Sequence, residues 1–190
     1  MRLLCICGPS GVGKGTMIEL LMREHAGRFG FAVSHTTRAP RPGELNGRDY
    51  LFVSRADMLA RIGAGEFVET AEVHGNMYGT SHASLVALGD RIPVLDLDVQ
   101  GVRQVKLAMP KARVFGVLPP SMDELELRLR ARGTDSDVAV QRRLQNARTE
   151  IAAIPELADK VVVNHSSWTV GYPALKAAIR SWFDIHLKLQ

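Results

Sequence analysis

The sequence predicts an α/β fold of three layers around a mostly parallel central sheet, and three observations predict it. Apolar runs suited to buried strands recur at Leu3 to Cys7, Pro93 to Leu97, Val114 to Leu118 and Val161 to Val163. Stretches with helical periodicity and suitable length separate these runs, the alternation that parallel strands with crossover helices require. A glycine-rich turn, Gly8-Pro9-Ser10-Gly11-Val12-Gly13-Lys14-Gly15-Thr16, follows the first run directly.

That turn carries the spacing G-x-x-x-x-G-K between a strand and a helix, the context in which such a loop cradles phosphate. Glycines at 8, 11, 13 and 15 admit backbone conformations that turn successive N–H groups inward, and Lys14 adds a positive charge. Met17, Ile18, Leu20, Leu21 and Met22 mark the helix that follows, whose dipole points its positive end at the same anion. The fold class is therefore a P-loop three-layer fold. One departure stands out: Gly15 occupies the place where the general motif has the Ser or Thr that ligates Mg²⁺, and Thr16 comes one residue later.

Between Ser34 and Ser81 the texture changes, first to dense Thr, Arg, Pro and Gly, then to Tyr50-Leu51-Phe52-Val53 and Phe67-Val68-Glu69. This reads as an insertion of short strands. After Pro119-Pro120, Ser121 and Glu124 form a capping box that opens a helix with Leu125 and Leu129 on its buried stripe. Gly133 to Ser136 interrupts two basic helices, giving a helical arm placed to close over a site. Leu175, Ala178, Ile179, Trp182, Ile185 and Leu189 share the apolar face of a last helix.

At 190 residues, 46% hydrophobic and 23% charged, the chain fits one globular domain. No segment reaches the length of a membrane span, and Gly8 cuts the first apolar run too short for a secretory signal, so a cytoplasmic location is expected. Cys5 and Cys7 fall on one face of a strand and read as small core residues. The net charge of +4 is modest and concentrated in two arginine groups: Arg38, Arg41 and Arg48, then Arg128, Arg130, Arg132, Arg142, Arg143 and Arg148. Neither group carries the interleaved aromatics of a single-strand platform, so small polyphosphates are the expected partners and nucleic acid is not.

The block Ser34-His35-Thr36-Thr37-Arg38-Ala39-Pro40-Arg41-Pro42-Gly43-Glu44-Leu45-Asn46-Gly47-Arg48-Asp49-Tyr50-Leu51-Phe52 closely resembles the nucleoside-monophosphate-binding segment of guanylate kinases. Glu66-Phe67-Val68-Glu69, Gly75-Asn76-Met77-Tyr78-Gly79-Thr80 and Leu95-Asp96-Leu97-Asp98-Val99-Gln100-Gly101 resemble that family's further motifs, in the family's order, so the likeness spans roughly residues 3 to 164. It implies a GMP-binding insertion over 34–81, a lid over 125–150, and a core of 1–33, 82–124 and 151–190. The arginines fit a second phosphate site: Arg38 and Arg41 supply charge-assisted bonds, with hydroxyls of Ser34, Tyr50 and Tyr78 around them. By the resemblance, Glu69 accepts from N1–H and the 2-amino group of guanine, Asp98 faces the 2-amino group, and Thr80 donates to O6. The family form often has Tyr at Met77 and Ser at Thr80; Thr keeps the hydroxyl.

The resemblance implies transfer of the γ-phosphoryl of ATP to GMP, with dGMP a candidate alternative acceptor. ATP is expected at Gly8 to Thr16, with Asn164 the candidate adenine contact. Lys14, Arg38, Arg132 and Arg143 are the expected catalytic residues, the last two matching family positions that bridge the transferring group. Mg²⁺ accompanies ATP, with Thr16 and Asp96 its candidate ligands, Asp96 by analogy with a strand-end carboxylate that organises water on the metal. The remaining arm arginines read as solvated faces, Arg48 as a turn charge, and His35, His74 and His82 receive no role. Rival readings are a catalytically silent guanylate-kinase-like binding module, or a P-loop kinase for another phosphorylated acceptor.

Overall fold

The computed structural model of the chain describes residues 2–131, 133, 136–165 and 170–185. Five strands form one sheet, all parallel: β1 (Leu4–Cys7), β2 (Phe29–Phe31), β7 (Ile92–Leu97), β8 (Arg113–Leu118) and β9 (Lys160–Val163), in the order β2-β7-β1-β8-β9. The alternation within β1 builds two cores. Leu4 and Ile6 face α1 (Lys14–His25) and α7 (Gly171–Phe183), meeting Met17, Leu21, Leu175 and Ile179. Leu3, Cys5 and Cys7 face the other way, toward Val102 and Val105 of α4 (Val99–Ala108) and Ile154 of α6 (Asp137–Leu157). A strand buried on both faces needs a continuous apolar run, which is what the sequence supplies. Cys5 and Cys7 are free thiols in this second core, and burial, the largest influence on each, pushes both upward, Cys7 to about 12.

Between β2 and β7 the chain builds a second sheet in the order β4-β3-β6-β5, with β3 (His35–Thr36), β4 (Leu51–Phe52), β5 (Phe67–Val73) and β6 (Asn76–Ser81). Hairpin β5–β6 turns on His74 and Gly75, whose φ angles of 53° and 81° match the type I′ turn that suits strand twist. The expectation of short strands alone over this stretch is incomplete, because α2 (Arg55–Gly63) lies within it and α3 (His82–Val86) follows it. Ser54 caps α2 by accepting from the Asp57 N–H, yet only Met58 of the helix is buried. A helix with one buried residue leaves almost no apolar period to read. Strand β2 was equally faint, three residues with a central glycine.

Helix α5 (Met122–Ala131) begins as expected: the Glu124 N–H donates to Ser121 Oγ at 3.1 Å. The Glu124 carboxylate, however, accepts from Arg128 Nε at 3.0 Å instead of returning to the cap. Leu125, Leu129, Val140 and Leu144 pack α5 against α6 in a small core of their own. The boundaries expected at 125 and 150 both fall inside helices, α6 running unbroken to Leu157. Helix α7 ends where Asp184 adopts a left-handed φ of 52°, and Leu189 lies outside the described residues. Among the described residues no helix is long and apolar enough to cross a membrane.

Candidate active site

The central strand β1 delivers the chain to the phosphate loop at the carboxyl ends of β7 and β8, where open parallel sheets place ligands. Gly8 can pass here only as glycine: a Cβ would lie 2.4 Å from the Val117 carbonyl oxygen of β8. Gly11 and Gly13 take φ values of 90° and 103°, turning the loop before α1 begins at Lys14. Lys14 Nζ donates to the Gly8 carbonyl, and to that of Pro9 at 3.3 Å, and lies 3.5 Å from Asp96 Oδ1 at the end of β7. The ammonium therefore sits over the mouth of the loop, its position fixed by β1 and β7 together.

The loop forms one wall of a cleft of about 310 Å³. Gly8, Ser10, Gly11, Gly13, Lys14 and Gly15 line this side, with Arg143 and Glu150 above them. Arg143 of α6 donates to Ser10 Oγ at 2.8 Å, tying the helical arm to the loop. Opposite stand Ser34, Arg38, Arg41, Tyr50, Glu69 and Tyr78, with Asp96 and Asp98 at the back. Two residue groups at least 19 positions apart in sequence thus line one cleft.

The small sheet sets the second wall. Register between β5 and β6 slips between Phe67 and Glu69, a bulge of the kind that re-aims a side chain. Glu69 is 4% exposed, and its Oε1 accepts from the Thr80 N–H at 2.7 Å. Burial dominates its titration and raises its pKa, against the lowering by Thr80 hydrogen bonds and with a further push from Asp98. Its Oε2 rests against Gly101, where a Cβ would come within 2.8 Å. Asp98 caps α4, accepting from the Gly101 N–H at 2.9 Å. Tyr50 and Tyr78 meet edge-on with centroids 6.0 Å apart, and Arg38 lies 5.2 Å over the Tyr50 ring. Burial is the main reason the Tyr50 hydroxyl is held well above its usual range.

Several expected site residues lie elsewhere. Thr80 is fully buried and absent from the lining; its Oγ1 is 3.0 Å from Ser34 Oγ, so it reaches the cleft through Ser34. Asn164 is also fully buried: Nδ2 donates to the Val12 carbonyl at 2.8 Å, and Oδ1 has no partner. Val12 belongs to the core, Pro9 does not line the cleft, and Thr16 is exposed on the first turn of α1 outside the lining. Arg132 lies outside the described residues. Arg128 corrects the reading of a solvated face, since it is partly buried and donates to the carbonyls of Asn164 at 3.0 Å and Val12 at 3.4 Å. Arg48 bonds Asp49 and the Gly43 carbonyl on an exposed turn, as its reading as a turn charge expects.

Sequence reasoning missed Glu150, His74 and Asn76, all of which line the cleft. Glu150 is one of three acids on a long helix, and no motif marks it. Burial pushes its carboxyl up to about 7, opposed by Lys14 and reinforced by Asp98. His74 gains its place from the hairpin turn, which sets its Nδ1 3.3 Å from Asn146 Nδ2 of α6. As a whole, the arrangement gathers two groups of cationic side chains and a buried carboxylate around one cleft.

The sequence profile described as "Guanylate kinase" matches residues 1–181. The guanylate kinase of Sus scrofa is 46% identical over 182 residues, covering 94% of this chain and 91% of that protein. The guanylate kinase of a Synechococcus species is 43% identical over 183 residues, 95% of this chain and 98% of its own. In structure, the crystal structure of guanylate kinase from Anaplasma phagocytophilum superposes with a TM-score of 0.75 at 31% identity, covering 95% of this chain and 85% of that one.

Proposed function

The chain belongs to the guanylate kinase family, and we propose that its cleft carries the family reaction, transferring the γ-phosphoryl of ATP to GMP to give ADP and GDP. One observation carries the residue assignment. The phosphate loop with Lys14 and Arg143 faces a second cationic wall of Arg38 and Arg41, and both line the same cleft. A phosphoryl donor and a phosphorylated acceptor require that pairing.

Phosphoryl transfer asks the protein to position two anions in line and to neutralise charge spread over the transferring group. Loop N–H groups and Lys14 hold the donor's β- and γ-phosphates, Lys14 exchanging its carbonyl contacts for phosphate oxygens. Arg38 and Arg41, with Tyr50, Tyr78 and Ser34, hold the acceptor phosphate. Arg143 bridges toward the transferring group, and Arg132 is assigned the same role by its match to a family position. Arginines in such roles contribute about 10³ to 10⁵ in rate. Glu69 and Asp98 select guanine, whose Watson–Crick edge offers two adjacent donors where adenine presents an acceptor. A buried carboxylate left facing an acceptor is strongly unfavourable, so the discrimination is large. The reading places this activity in the cytoplasm, where ATP and GMP are available.

Mg²⁺ fits this site through Asp96. That carboxylate lines the cleft beside Lys14, whereas Thr16 points outside it. The space beyond the Gly15 Cα is open, with no atom within 4 Å, so the loop has room for a hydroxyl there but supplies none. Among the described residues no group of three or more His, Cys, Asp or Glu is gathered to hold a metal. Asp96 is therefore the residue that would hold Mg²⁺, through water, when ATP brings it. When bound, Mg²⁺ supplies charge neutralisation across the β- and γ-phosphates.

Turnover of ATP with GMP, AMP, CMP and UMP side by side tests the reading. GMP is expected to be used with the highest kcat/KM, and Glu69→Gln to narrow the GMP/AMP ratio by at least tenfold. An unchanged ratio would remove Glu69 from the base site.

A further inference from the structure

Arg38 and Arg41 stand on a segment, 37–49, with little regular structure and two glycines at positive φ. Something must hold two long cationic side chains there at a fixed separation. Glu44 does so from within the segment. Residues Arg41-Pro42-Gly43-Glu44 form a type II turn, with Gly43 at φ 86° and the Glu44 N–H donating to the Arg41 carbonyl at 3.0 Å. The Glu44 carboxylate then reaches back, taking the Arg41 N–H at 2.7 Å and Arg38 Nη2 at 2.8 and 2.9 Å on its two oxygens. One carboxylate thereby joins the guanidinium of the first arginine to the backbone of the second.

We propose that Glu44 is a positioning residue for the acceptor phosphate, fixing Arg38 and Arg41 in the arrangement that receives it. This rests on the assignment of those arginines to the acceptor. Two effects compete. A carboxylate beside a phosphate site repels the incoming dianion, while fixing Arg38 removes side-chain freedom that binding would otherwise have to remove. Ordering wins here for two reasons. The Glu44 charge is already matched by Arg38, and the pair is largely shielded, with side chains 13% and 19% exposed. The Ala39 carbonyl and the Tyr50 and Phe52 rings hold the guanidinium from other sides, so Glu44 completes an existing cradle. Consistent with a formed ion pair, burial works against both charges but is outweighed: the Glu44 bonds lift Arg38 above its ordinary value, and those of Arg38 and the Arg41 N–H lower Glu44.

The test measures GMP and guanosine binding by calorimetry and steady-state kinetics with ATP and GMP, for wild type, Glu44→Gln, Glu44→Ala, Arg38→Ala and the Arg38→Ala/Glu44→Ala double variant. Expected are a rise of about tenfold or more in Kd and KM for GMP with Glu44→Ala, a smaller rise with Glu44→Gln, and no change for guanosine or in KM for ATP. The double variant is expected to lose less than the sum of the two single variants, because Glu44 acts partly through Arg38, already absent, and otherwise through the Arg41 backbone. Tighter GMP binding in either Glu44 variant would show a competing anion instead, and overturn the proposal. So would equal losses for guanosine, or losses that add in the double variant. If Arg38→Ala weakens GMP while Glu44→Ala does not, this proposal alone fails; if Arg38→Ala leaves GMP binding unchanged, the acceptor assignment fails with it.

Discussion

Glu150 is the cleft residue whose charge works most plainly against the fold. It lines the cleft with Lys14, whose charge favours its ionised form, but burial outweighs that and raises its carboxyl to about 7. A carboxyl that binds its proton more tightly when folded costs nothing ionic below its unfolded pKa, near 4.5. The cost grows as pH rises through the window from 4.5 to 7 and is complete above it. Glu150→Gln is therefore expected to stabilise the substrate-free protein at pH 8 by roughly 1–2 kcal/mol after allowance for partial solvent screening. That corresponds to a Tm gain of about 2–8 °C, shrinking toward zero near pH 4.5. Thermal melts of both proteins across this range check it; a difference that does not change with pH would mean that packing, not charge, sets the effect. A residue that lowers stability inside a cleft is a pattern common at functional sites.

Among the elements, the phosphate loop separates glycines required by space from glycines required by nothing in the fold. At Gly8 the obstructing atom is backbone, the Val117 carbonyl oxygen, which cannot move without displacing β8. Gly8→Ala should destabilise by more than about 2 kcal/mol, the scale of overpacking in a close-packed interior. Gly15 lies in the first turn of α1 with open space around it, and its φ is not in the left-handed region. Gly15→Ala should stabilise by up to about 1 kcal/mol, since alanine loses less backbone entropy in a helix. Denaturant titration of the two variants measures both; equal effects would refute the distinction. The sequence marks Gly15 only by the hydroxyl it lacks; that Gly8 is required by space and Gly15 is not is decided by the tertiary structure.

Across the whole molecule, the cleft is bridged by contacts of one helix with both walls. Helix α6 touches the phosphate loop through Arg143 and Ser10, and the hairpin tip through Asn146 and His74. The small sheet is fastened to the core as well: the Gln104 side chain of α4 exchanges two hydrogen bonds with the Thr70 backbone of edge strand β5, at 3.0 and 2.6 Å. Transfer to GMP instead of water requires a closed site, so α5, α6 and the small sheet are expected to draw together when both nucleotides bind. Small-angle scattering with GMP and a non-hydrolysable ATP analogue should show a smaller radius of gyration than with either alone. Identical curves would exclude closure.

The parallel sheet, the phosphate loop and the first and last helices were legible because each rests on a local pattern: continuous apolar runs, glycine spacing and a period of 3.6 residues. The order of motifs was sufficient to expect the family and its reaction. Helix α2 and strand β2 were not legible, because one buries a single residue and the other has only three. Thr80 and Asn164 could be named but not placed, since burial depends on what folds over them. Arg128 looked like its exposed neighbours until the structure set it against the carbonyls of Val12 and Asn164. Glu150 and His74 entered the site by the same route, through contacts between segments that no local spacing encodes, whereas Glu44 supports it through a local turn. Sequence by itself determined the chemistry available to this protein, because motifs are short-range. Tertiary structure decided which side chains face the cleft, which support those that do, and at what electrostatic cost, because desolvation and facing walls exist only once distant segments meet.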